Sequence, residues 1–174
     1  MNNNQLIRIL ISRCLLGDLC RYDGKILKHQ FDTGILQNIT IVPICPEVEM
    51  GLHVPRNKIR IVKYIDGDRL IQTETNIDLT SMFNKWCDKY VSTLMTIDGC
   101  ILKSKSPSCG IADCKYYDSA DSEIEIGRVS GFFSRKIFQM NIPQINEADF
   151  FDLEKRDLFL KLVYQRCNLR TLQS

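Results

Sequence analysis

Leu6-Ile7-Arg8-Ile9-Leu10-Ile11-Ser12-Arg13-Cys14 is the stretch on which the reading of the fold turns. A short, nearly continuous apolar run rich in branched residues predicts a strand buried on both faces, and here it ends at a cysteine. The pattern recurs: Ile39-Thr40-Ile41-Val42-Pro43-Ile44 runs into Cys45, and Cys100-Ile101-Leu102-Lys103 runs into the loop from Ser104 to Cys109. Three buried strands therefore lead into three cysteine-bearing loops.

The segments between them have other periods. Ile59-Arg60-Ile61-Val62-Lys63-Tyr64 and Arg69-Leu70-Ile71-Gln72-Thr73 flank Asp66-Gly67-Asp68, a hairpin signal because Asp-Gly supports positive φ. From Asp78 to about Ile97, Phe83, Trp86, Tyr90 and Leu94 share one face of an amphipathic helix. Gly127 to Met140 continues the helical logic through Val129, Phe132, Phe133 and Ile137, and Ile142-Pro143-Gln144-Ile145 reads as a short final strand. Asp152 caps a last helix at about 151–169, with Phe159, Leu162, Val163 and Cys167 on one face. Without repeats or a linker, residues 1–174 read as one α/β domain: a Rossmann-like three-layer fold with a mainly parallel sheet.

The chain of 174 residues is 44% apolar and 25% charged, the composition of a soluble globular protein. Lys+Arg 23 against Asp+Glu 21 leaves a formal charge of +2, too balanced to suggest a nucleic-acid partner. Arg56, Lys58, Arg60 and Lys63 form at most a local patch, which one strand of an exposed hairpin explains equally well. Met1-Asn2-Asn3-Asn4 lacks a basic region, and Arg8 interrupts the apolar run after it. Neither a signal peptide nor a membrane span is expected, which points to the cytoplasm. The eight cysteines are then thiols or metal ligands rather than disulfides.

In an open parallel sheet, ligands bind beyond the carboxyl ends of the strands, where Cys14, Cys45 and Cys109 fall. No Cys-x-x-Cys pair occurs, so a zinc ribbon or thioredoxin-like pair is excluded and any metal site must be assembled from distant loops. Three thiolates suit zinc or an iron–sulfur cluster; equally, buried free cysteine is a common core residue, the reading given to Cys87, Cys100 and Cys167. Lys105-Ser106-Pro107-Ser108-Cys109-Gly110 sets two hydroxyls beside a thiol, as substrate contacts or as the cap of a helix entry. Glu47, two residues after Cys45, is either a proton-transfer group or a first-turn acid favoured by the helix dipole. Arg21-Tyr22-Asp23 offers a donor, an aromatic face and an acceptor to a small planar ligand, or else an internal Arg21–Asp23 pair. His29 and His53 have no metal-ligand spacing.

Ser12-Arg13-Cys14-Leu15-Leu16-Gly17, Cys20-Arg21-Tyr22-Asp23-Gly24, Pro43-Ile44-Cys45-Pro46-Glu47-Val48-Glu49-Met50-Gly51-Leu52, Pro55-Arg56 and Lys103-Ser104-Lys105-Ser106-Pro107-Ser108-Cys109-Gly110 together resemble the thiouracil desulfurase family. The resemblance runs through Tyr117-Asp118 and Ile142-Pro143, covering almost the whole chain. It implies an oxygen-sensitive [4Fe-4S] enzyme that replaces the sulfur of a thiolated nucleobase by oxygen, without redox change, and releases sulfide. Motif by motif, the implied ligands are Cys14, Cys45 and Cys109; Glu47 and Ser106 are the implied catalytic pair, with Glu49 a competing acid. Tyr22, Asp23 and Ser108 are the expected substrate contacts. No ligand role is carried onto Cys20.

The acidic stretch Ile111 to Ile126, with its extra Cys114, departs from the family's Gly-rich loop, so substrate choice can differ. A zinc hydrolase, or an iron–sulfur or zinc sensor without desulfurase activity, is the competing class; it would release no sulfide from thiolated bases.

Overall fold

The computed structural model describes residues 6–28 and 31–172, so His29 and the first residues, Met1 to Asn4, lie outside the described residues. Strands β1 (Ile7–Ser12), β2 (Ile39–Ile44), β6 (Gly99–Leu102) and β9 (Gln144–Asn146) form a wholly parallel sheet in the order β2-β1-β6-β9. All three sequence-predicted cysteine strands are therefore adjacent. Their carboxyl ends lie side by side, as the register Ser12 opposite Ile44 and Ile11 opposite Ile101 requires.

Alternation along the strands explains the layers. Ile7, Ile9 and Ile11 of β1, with Ile101 of β6, join one core with Phe159, Val163 and Cys167 of α4 (Leu153–Leu172). Leu10, Cys100 and Leu102 point the other way, into a core with Phe83, Cys87 and Leu94 of α2 (Thr80–Leu94) and Phe133 and Ile137 of α3 (Phe132–Gln139). Successive side chains of a strand face opposite sides, so continuous apolar strands need cover on both. Helix α4 is also tied to the sheet electrostatically: fully buried Asp98 accepts from the Arg8 backbone N–H at 2.8 Å and from Arg170 Nε and Nη2 at 2.9 Å each.

The expected hairpin is present as β3 (Ile59–Tyr64) and β4 (Gly67–Gln72), but its turn is Ile65-Asp66, one residue earlier than the Asp-Gly dipeptide. It belongs to a second sheet, in the order β5-β4-β3-β7-β8, with β5 (Ile77–Asp78), β7 (Cys114–Tyr117) and β8 (Glu125–Val129). This sheet corrects one expectation: Gly127 to Val129 belong to β8, so the helix begins only at Phe132. The polar stretch after Cys109, for which the sequence pattern predicts no element, contributes β7 and the start of β8. Leu162 also departs from the expected buried face: it is 43% exposed, one residue off the stripe set by Phe159, Val163 and Cys167. No helix among the described residues is long and apolar enough to cross a membrane.

Candidate active site

A cavity of about 560 Å³ opens beyond the carboxyl ends of β1, β2 and β6, and residues of β3 and β7 form its opposite wall. Cys14 lies in the single 3-10 turn Arg13–Leu16 that follows β1, closed by Gly17 in the left-handed region at φ 93°. Cys45 is the residue before the short helix α1 (Pro46–Glu49), with its proline in the first turn, where the missing N–H costs nothing. Cys109 sits in the loop after β6. That loop is held by the free N–H groups at the start of α3: Phe132 donates to Pro107 O at 3.1 Å and Phe133 to Ser108 O at 2.8 Å. Gly131 must be a glycine there, since a Cβ would lie 2.5 Å from Ser108 O.

All three expected cysteines line the cavity, together with Cys20 and Cys114. Cys20, to which no role was given, is 2% exposed, and its thiol is close enough to those of Cys14 and Cys45 for both to act on its titration. The Cys45 thiol donates to the Cys20 carbonyl at 3.6 Å. The Cys14 thiol, with burial, pushes the Cys20 thiol up to about 11; the Cys20 thiol pushes Cys45 further up. Burial raises Cys109, against the nearby hydroxyls of Ser12 and Ser106, which lower it. These thiols are therefore protonated at neutral pH without metal, and binding metal must expel their protons. Among the described residues, no three His, Cys, Asp or Glu side chains converge as ligands of a single ion would.

Glu47 is buried in the first turn of α1. Arg56 donates Nε and Nη2 to its Oε2 at 2.9 and 2.7 Å, and the Ser108 hydroxyl donates to Oε1 at 3.1 Å. Glu49 is exposed, accepts from the Cys45 N–H at 3.4 Å and is not among the lining residues, so of the two acids only Glu47 faces the cavity. Ser106 lines the cavity and its Oγ accepts from the backbone N–H groups of Ser108 and Cys109 at 3.3 and 3.1 Å.

The remaining expected contacts separate. Tyr22 is in the wall. Asp23 is not: it pairs with Arg21 at 3.1 Å, the internal pair that the sequence left open. Ser108 also stands outside the wall, 1% exposed behind Glu47.

Three residues in the wall were not singled out as site residues. Ser12 Oγ accepts from the Lys103 N–H at 3.0 Å, joining the ends of β1 and β6. Arg56 and Arg60 read as surface charges, yet Arg56 is buried on Glu47 and Arg60 turns onto Tyr117, donating to Ala120 O and Ser122 O. The supposed basic patch is thus divided: Lys58 and Lys63 remain exposed, and β3 is an inner strand of the second sheet rather than one strand of an exposed hairpin. Alternation along β3 could have flagged Arg60; no sequence signal identifies the carboxylate that Arg56 meets.

A structure of a [4Fe-4S]-dependent thiouracil desulfidase, TudS, matches with a TM-score of 0.69 at 24% identity, over 90% of this chain and 99% of that one. The protein YbbK of Bacillus subtilis is 30% identical over 109 residues, 59% of this chain and 72% of YbbK. The family model for 2-thiouracil desulfurase matches residues 9–149, a span that includes every cysteine of the cavity wall as well as Glu47 and Ser106. The chain belongs to the 2-thiouracil desulfurase family.

Proposed function

We propose that this protein is a [4Fe-4S]-dependent desulfurase that replaces the sulfur of a small thiolated nucleobase by oxygen and releases sulfide. The observation that carries the reading is the meeting, in one cavity, of cysteines from three adjacent parallel strands with a carboxylate fixed by Arg56 and Ser108. The donor set fits the cluster: soft thiols from three separate loops suit an assembly larger than one ion. Cys14, Cys45 and Cys109 would hold it. Bound through three protein thiolates, a four-iron cluster supplies one iron that acts as a Lewis acid toward a soft sulfur atom.

The chain's own residues do the rest. Tyr22 offers an aromatic face to a planar ring, and Ser106 offers a hydroxyl at the cavity surface. Glu47 Oε1 takes a proton from water as it attacks the thiocarbonyl carbon, then returns it to the ring nitrogen or the departing sulfide. Oxygen replaces sulfur at the same oxidation level, so no electron donor is needed. Arg60 and Lys103 are paired with Glu123 and Glu147, while Lys58 and Lys105 add positive charge to the wall, which favours an anionic leaving group.

The test is anaerobic purification or reconstitution, followed by iron and labile-sulfide analysis and an assay of sulfide released from thiouracil. About four iron and four labile sulfides per chain, with stoichiometric uracil and sulfide, support the reading. Zinc in their place, or a cluster without sulfide release, overturns it.

A further inference from the structure

Pro55-Arg56 lies outside every cysteine motif, yet the Arg56 side chain, only 5% exposed, joins three parts of the cavity. Its Nε and Nη2 both reach Glu47 Oε2, at 2.9 and 2.7 Å. Nη2 also donates to Cys20 O at 3.0 Å and Nη1 to His53 O at 3.3 Å, while its backbone N–H donates to Tyr22 O at 2.8 Å.

Two features of this arrangement exceed what an internal ion pair needs. A guanidinium commonly meets a carboxylate side-on, with two parallel bonds that occupy both oxygens. Here both donors end on Oε2, leaving Oε1 to the Ser108 hydroxyl alone. Of the other anchors, Cys20 O and Tyr22 O belong to the segment that follows Cys14, so the guanidinium that grips Glu47 and the backbone N–H of the same residue set that carboxylate's place relative to the first cysteine loop. Proton transfer to attacking water falls off steeply with misplacement, and a buried fork is a stiff way to prevent it.

Resting on the desulfurase reading above, we propose that Arg56 is a positioning residue for the reaction: it fixes Glu47 through Oε2 and reserves Oε1 for proton transfer. Lysine cannot replace it: one ammonium can meet Oε2 and the Cys20 carbonyl, as Nη2 does, but cannot add the second bond to Oε2 made by Nε and the bond to His53 O made by Nη1 in one planar fork.

The test compares cluster-loaded wild type with Arg56→Lys, Arg56→Ala, Glu47→Gln and the Arg56→Ala/Glu47→Gln double variant. Iron, labile sulfide and kcat and KM for sulfide release from thiouracil are measured for each. Expected are wild-type iron and sulfide contents, KM within about threefold, and kcat lowered about 10–100-fold in Arg56→Lys, the usual loss when an orienting partner is removed. The double variant should be no slower than Glu47→Gln, because Arg56 acts through that carboxylate. Added guanidinium ion should restore part of the Arg56→Ala activity, and ammonium should not. Wild-type kcat in Arg56→Lys, or a double variant slowed by the product of the two single factors, overturns the role. A loaded wild type that releases no sulfide overturns the desulfurase reading itself, a result visible before any variant is compared.

Discussion

Gly131→Ala tests whether the start of α3 sets the position of the Cys109 loop. Gly131 has φ −65° and ψ 157°, values open to alanine, so the backbone itself does not resist the change. The obstacle is steric. A Cβ would lie 2.5 Å from Ser108 O, 2.6 Å from its carbonyl carbon and 2.9 Å from Cys109 N, where ordinary contact begins at 3.4 Å. All three are backbone atoms, so the loop must retreat by almost an ångström or α3 must shift. Overpacking of this kind costs about 1–3 kcal/mol. Reduced freedom of the unfolded chain returns about 0.4–1 kcal/mol, and alanine at a helix cap loses about half a kcal/mol. The net loss of about 0.5–3 kcal/mol corresponds to a melting point lowered by about 1–12 °C in a chain of this size. Displacement of Cys109 should lower iron content in parallel. Gly127→Ala is the control, since a Cβ there meets nothing within 4 Å. Thermal unfolding by circular dichroism and iron analysis of both variants decide the matter. A Gly131→Ala protein melting within about 1 °C of wild type, with full iron, refutes the claim that this contact positions the loop.

Alanine in place of Cys14, Cys45 or Cys109 should abolish iron binding, while Cys87→Ala, which alters only core packing, should retain it; iron analysis after anaerobic reconstitution distinguishes them. Arg170→Ala removes the guanidinium paired with fully buried Asp98. It should destabilise the fold by about 3–5 kcal/mol in urea unfolding; a change under about 1 kcal/mol would refute the role given to this pair. Burial alone would raise the Glu147 carboxyl, but hydrogen bonds from Lys103 and Ser104 outweigh it and hold the group below its usual 4.5. Its stabilisation is therefore full above the unfolded-state value and is lost as pH falls through the lower folded one. The melting-point gap between wild type and Glu147→Gln should close on acidification from pH 7, and a gap constant down to about pH 3 would count against the assignment.

Local signals carried much of this molecule. Apolar runs such as Leu6 to Ile11 revealed the buried strands, because a parallel strand covered on both faces has nowhere to place polar side chains. The ends of those runs located Cys14, Cys45 and Cys109, and the ordered motifs pointed to the family before any geometry was known. The second sheet was only half legible: β3 and β4 carry a hairpin signal, but β7 and β8 are short, largely polar strands paired across a bulge. Their pairing is decided by neighbours distant in sequence.

The same division runs through the site. Residue type and strand position drew attention to Glu47 and Ser106, and the family resemblance implied their roles, but neither could choose between Glu47 and Glu49 or tell Asp23's partner from a substrate contact. Those distinctions depend on where side chains point. Arg56 read as one charge among several on a hairpin, and Cys20 as an optional thiol; folding buries both, and a buried polar group must find a partner. Strand patterns follow from each segment's own side chains. Partnership at the cavity depends on chain crossings that bring Arg56 to Glu47 and Ser108 to the same carboxylate, distances that no local periodicity encodes.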